Sequence, residues 1–190
     1  MNILVNRVMR AALLDKEFYK EAEADTSLNQ EALLVVIIVS IAGGIGSFFG
    51  KLFGGEIGVA IQALIISAVV GVANYYIWAY VTHFIGTNMF KGEAEPDDLL
   101  RVLGYASGPR ILSLLFFIPC LGGIINLGGS IWALVAGFFG VQEALDLDTT
   151  ETLVTVVLGW VAIFIINAIL TSLLGFGALG LGSALSVFGR

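Results

Sequence analysis

Cysteine, histidine, proline and charge are all scarce in this sequence, and each scarcity removes a class of protein. The one cysteine, Cys120, cannot form an intramolecular disulfide, and the one histidine, His83, cannot build a histidine metal cluster. Proline occurs three times, and charged residues make up 13% of the chain against roughly a quarter in soluble domains. Those few charges sit in short segments, so the net charge of -6 forms no basic patch and nucleic-acid partners are not expected. A secretory signal is not expected either. Arg7, Arg10, Asp15 and Lys16 interrupt what would have to be its apolar region, and Ala22-Glu23-Ala24 matches a cleavage site by letter only, so Met1–Ala24 is expected to be retained.

What is present is apolar: 58% of residues are hydrophobic and the mean hydropathy is +0.96. Charge-free stretches run over Ala32–Gly50, Ile57–Phe90, Ile111–Gln142 and Thr152–Gly189. About 20 apolar residues suffice for one helical span. Backbone amides in hydrocarbon must be satisfied internally, and these stretches lack the alternation of a membrane barrel, so the chain reads as an all-α polytopic membrane bundle with the lipid bilayer as its solvent.

At the N-terminus Leu4, Val5, Val8, Met9, Ala12 and Leu13 recur at helical spacing opposite Asn2, Asn6, Arg7 and Arg10, which describes an amphipathic helix lying in the membrane interface. A polar stretch, Lys20–Gln30, leads to a first span whose Gly43/Ser47 and Gly46/Gly50 pairs offer faces for close helix approach. The second span, within Ile57–Phe90, carries Tyr75, Tyr76, Trp78 and Tyr80, a cluster of the kind found at a headgroup boundary. Pro96, Asp97 and Asp98 mark a helix start. If the third span is Leu99–Ile118, then Pro119–Gly123 is a tight turn and Ile124 to Leu145 a fourth span with Gly129, Ala133 and Gly137 on one face. Arg110 then lies inside the membrane. The alternative takes Ile111–Gln142 as one kinked helix of about 48 Å, giving four spans with Arg110 at the interface. Asp148 and Glu151 suit the start of a last span, Thr152–Ser172, and the Gly-rich remainder reads as an interfacial or frayed tail. The domains are thus 1–30, 31–172 and 173–190.

With the N-terminus in the cytoplasm, Arg7, Arg10, Lys16, Lys20, Lys91, Arg101 and Arg110 fall on or near that side of five spans, against Lys51 and Arg190 outside. Four spans move Arg190 inside, so the charge rule orients the N-terminus without fixing the number of spans.

Catalytic readings are weak. Ser107 has no later histidine to act as its base, and its structural role is close packing beside Pro109. GFGALG at Gly175–Gly180 lacks the strand-turn-helix context of a dinucleotide site, so no cofactor is expected. His83 suits an interfacial hydrogen bond, and Glu93, Glu95, Asp97 and Asp98 suit a solvated helix start better than a metal site. Arg110 is the most informative charge: within a span it faces the bundle or a cavity, or it snorkels to the interface from a kinked helix. Its acceptors inside the bundle would come from Asn74, Asn126, Asn167 or Glu143. Asn74 and Asn167 are expected to link helices rather than line a pore.

From Phe90 to about Asn167 the order of features resembles the Yip family, the Ypt/Rab-interacting multi-pass membrane proteins, in a compact prokaryotic form. GYASGP at Gly104–Pro109, including Tyr105 and Pro109, is like the family's Gly-Tyr-x-x-x-Pro entrance to its third span. LLFFIPCLGGIINLGGSIWALVAGFFGVQEAL is similar to its third and fourth spans, and TTETLVTVVLGW to the start of its fifth. The resemblance implies five spans in a prokaryotic cytoplasmic membrane with the N-terminus cytoplasmic. Eukaryotic relatives bind Rab-type GTPases through a longer N-terminal region, reduced here to 1–30, which weighs against a GTPase partner. The expectation is a non-enzymatic binding or scaffold module, an accessory subunit that meets other integral membrane proteins or further copies of itself. The second reading is a small transporter or channel using Arg110 and the membrane asparagines. The residues singled out are Arg110, Tyr105, Pro109, Asn74, Asn167, Gly129 and Gly137.

Overall fold

The computed structural model describes the backbone of residues 3–53, 55, 57–118 and 120–188, with side chains described as far as 169 and at Ser172. Among the described residues every regular element is helical. The amphipathic helix expected from Leu4 to Leu13 forms as α1 (Ile3–Ala12), and a second helix, α2 (Lys16–Ala24), follows it where none was expected. Leu14 takes a left-handed φ of 63° after α1, and the Asp15 side chain then caps α2 by accepting from the Phe18 amide at 3.2 Å. Burial fixes the break, because Phe18, Tyr19 and Ala22 leave almost no surface exposed. Half of the expected polar stretch is therefore docked helix. The apolar residues of α1 divide: Leu4, Val8 and Ala11 pack inward, while Val5, Met9 and Leu13 remain exposed along an i, i+4, i+8 stripe suited to the interface.

A 3-10 turn, Thr26–Leu28, leads to α3 (Asn29–Phe53), which forms a hairpin with α4 (Ile57–Phe90). Gly71 stands against Ser40, and Gly44 against the backbone of Leu64, so the small residues set the closeness of this pair. α6 (Gly122–Ala144) and α7 (Thr149–Phe188) complete the four helices that are long and apolar enough to cross a membrane singly. One further candidate crossing, the third in chain order, is a broken one, α5 (Pro96–Ala106) followed by a 3-10 segment, Gly108–Phe117, bent from it by 46°. A turn around Cys120, at φ 65°, separates that segment from α6. The stretch Ile111–Gln142 is therefore two elements, and the single kinked helix of the four-span alternative does not form.

Helix starts follow the local chemistry. The Glu95 amide donates to Asp98 at 2.7 Å, and the Asp148 carboxylate accepts from the Thr150 and Glu151 amides at 2.7 and 2.8 Å while the Asp148 amide reaches Glu151. The aromatic cluster of α4 is split. Tyr80 is half exposed, but Tyr75 turns inward and donates to the Leu100 carbonyl at 2.6 Å. α7 continues as helix through the segment expected to be a tail, whose side chains lie outside the described residues. The fully buried side chains gather where α2, α5, the start of α3 and the end of α6 meet, and this end is called the cap below.

Candidate functional site

The site begins with a break in the backbone ladder. Pro109 has no amide hydrogen, and in a continuing α-helix its ring would meet the Tyr105 carbonyl, so the third crossing tightens into 3-10 geometry. Ser107 softens the break: its amide is shared between the Leu103 and Gly104 carbonyls, and its hydroxyl donates to Gly104 at 2.6 Å. Runs of 3-10 helix beyond three or four residues are uncommon. This one is held from both sides, since a Cβ on Gly46 of α3 would lie 2.2 Å from the Ser113 carbonyl and one on Gly129 of α6 would lie 3.0 Å from the Pro109 carbonyl.

Beside the bend, all five crossings contribute to a cavity of about 590 Å³. Its lining includes six serines, Asn74, Asn126 and a single charged residue, Arg110. The Arg110 side chain is exposed, and among the described residues nothing is hydrogen-bonded or ion-paired to its guanidinium. Of its expected acceptors, Asn74 and Asn126 share the cavity. Asn167 instead exchanges hydrogen bonds with Asn74 at 3.0 and 3.4 Å, tying α7 to α4. Glu143 lies at the cap between Lys16 and Lys20, at 3.4 and 3.5 Å. Gly137 is filled by the Trp78 ring, which a Cβ would approach to 2.6 Å. Tyr105 is elsewhere: fully buried in the cap, it packs edge-on to Phe18 and donates to Glu31 at 2.8 Å. The structure thus brings together Arg110, Pro109, Gly129 and Asn74, with Asn167 behind Asn74, and separates Tyr105 from them. His83 is 2.9 Å from the Ala94 carbonyl, a link between α4 and the loop before α5.

Sequence reasoning missed the arginine that organises the cap. Arg101 is 2% exposed; its Nε donates to the Ala22 carbonyl at 2.8 Å, and one terminal nitrogen donates to Asn29 at 2.9 Å. The other reaches the Glu23 carbonyl and the Asp98 carboxylate. One side chain thereby closes the C-terminal carbonyls of α2 and ties α5 to α3. The i, i+3 spacing of Asp98 and Arg101 was the only local signal. Around it, a hydrogen bond from Arg10 holds the Asp15 carboxyl below its ordinary range, and burial raises the Tyr19 phenol, which donates to Ala11 at 2.9 Å. Burial, then Asp98, raises Glu23.

This order of parts, from α2 into α7, coincides with a known family. Residues 13–171 match the family model described as the Yip1 domain. The chain belongs to the Yip1 family. No curated protein and no solved structure matches it. The Yip1 match spans α2, the cap and all five crossings, so cap and cavity both lie within the family's domain.

Proposed function

We propose that this Yip1-family protein is a non-catalytic binding and scaffold module, an accessory subunit that recruits other integral membrane proteins or further copies of itself. One observation carries the reading. Gly43, Gly46, Gly129 and Gly137 are used in the bundle's own packing, whereas Gly50, Gly58, Gly123 and Gly128 have open space where a Cβ would stand. Small residues on an outer helix face allow a second helix to approach closely, the chief source of helix association in lipid. The test is purification in a mild detergent followed by native mass spectrometry. A partner or second copy at fixed stoichiometry, lost on Gly58→Leu or Gly128→Leu, is expected; a monomer alone overturns the proposal.

The cap end carries Arg7, Arg10, Lys16, Lys20 and Lys91, and because Lys and Arg rather than net charge set orientation, this supports a cytoplasmic N-terminus, here in a prokaryotic membrane. Cys120, exposed at the opposite end, reports this directly: a membrane-impermeant maleimide should label it in intact cells. The cavity favours a second reading, transport of a small anion past Arg110. Flux in proteoliposomes that Arg110→Ala abolishes supports it, and flux equal to that of empty liposomes removes it.

A further inference from the structure

We infer that the cavity beside Arg110 is a binding site for a phosphate group, held as the headgroup of a membrane phospholipid. The first support is an unanswered charge. A guanidinium at membrane depth is costly unless it meets a partner or water, and the lining brings Arg110 hydroxyls and amides but no carboxylate. The ligand that completes such a site is an anion, and the planar fork of an arginine with neighbouring hydroxyl donors matches the oxygens of a phosphate.

The second support is size and access. A cavity of about 590 Å³ holds far more than one water, whose share of liquid volume is roughly 30 Å³, and falls within the range of ligand sites. Leu127 and Ile131 of α6 and Trp160 of α7 border both the cavity and the lipid-facing surface, with exposures of 61, 53 and 56%. A mouth of this kind admits an amphiphile from the side, its phosphate inside and its acyl chains outside. Depth agrees: Val8 of the interfacial helix α1 rests on Gly108, so Arg110 lies just beneath headgroup level on the cap side.

The experiment uses the full chain in dodecyl maltoside, which carries no phosphate, and two photoreactive probes with identical acyl chains, phosphatidylglycerol and diacylglycerol. The expected result is roughly tenfold stronger labelling of α6 by phosphatidylglycerol, the effect of a charge-assisted hydrogen bond. Arg110→Gln should bring the two probes to parity, and Arg110→Lys, which keeps charge without the fork, should fall between. If inorganic phosphate fails to compete, the source is the lipid headgroup; if it competes fully, the phosphate chemistry stands and the ligand is a soluble ion. Equal labelling by the two probes in the wild type, or undiminished preference in a folded Arg110→Gln, overturns the site. Should that variant not fold, the wild-type probe ratio decides alone.

Discussion

Arg101 and Arg110 stand on the same broken crossing and meet opposite surroundings. In the cap, Arg101 is buried and all its bonds go to the protein; beside the cavity, Arg110 is exposed and bonds to none of the described side chains. The same contrast runs through the molecule. The cap has aromatic packing, satisfied helix ends and ion pairs, whereas the membrane half keeps a cavity in which serines, asparagines and Arg110 are set among apolar side chains. A buried cation with every partner in place makes structure, and an exposed one beside a cavity, with no protein partner, makes a site.

The largest effect expected from this difference is at Arg101. Replacing it by leucine removes the cation but leaves Asp98 and the carbonyls of Ala22 and Glu23 without their donor, and breaking a buried pair in this way costs about 3–5 kcal/mol. Thermal unfolding in detergent should show it, with early proteolysis between α1 and α3. Arg110→Leu should leave the melting temperature unchanged or raise it, since no protein bond is lost. Equal destabilisation by the two substitutions would erase the contrast between cap and cavity.

A smaller effect sharpens how the broken crossing is held. Gly46→Ala forces a Cβ to 2.2 Å from the Ser113 carbonyl, a clash with backbone that the neighbour cannot rotate away, and should cost about 1–3 kcal/mol. Gly50→Ala, with nothing near it, serves as the control and should be neutral or slightly stabilising. Next in size is the Asn74–Asn167 link, the polar contact between α4 and α7 in the membrane half. A double-mutant cycle to leucine should return a coupling of roughly half a kcal/mol, the usual worth of such bonds in lipid. A coupling near zero would leave α7 held to α4 by packing alone.

These differences also mark what could be read from the sequence. The four long apolar helices, the start of α5 at Pro96 and the capping pair Asp148–Glu151 were legible because each is a local signal: a length, a missing amide, a carboxylate three residues from its partner. The break between α1 and α2 was not, since it depends on Phe18 and Tyr19 finding a buried place against α5 and α6, which nothing in KEFYKEA declares. Arg110 drew notice because it adjoins an apolar run, while Arg101 counted only as one of the Lys and Arg residues on or near the cytoplasmic side. The cavity was invisible for another reason. Its serines are scattered one or two to each crossing but the last, from Ser40 to Ser130, and only the assembled bundle makes them neighbours.

The smallest effect tests the cap by pH. Glu23 ends α2 with its carbonyl bound by Arg101, and its carboxyl is held above its ordinary value by burial first, then by Asp98, with Asp146 and Glu143 adding to the repulsion and Arg101 opposing it. A carboxyl whose folded value lies above its unfolded one favours the fold fully only below the unfolded value, and that contribution is lost as pH rises through the folded value. At neutral pH the ionised Glu23 therefore weakens the cap slightly. Glu23→Gln keeps the backbone bond to Arg101 and removes the charge, so it should raise the melting temperature a little at neutral pH and lose that advantage in acid. The opposite trend, a variant weaker than wild type at neutral pH, would mean that attraction to Arg101 outweighs both burial and Asp98, and that the cap is held by its side-chain charges as well as by the carbonyls of α2.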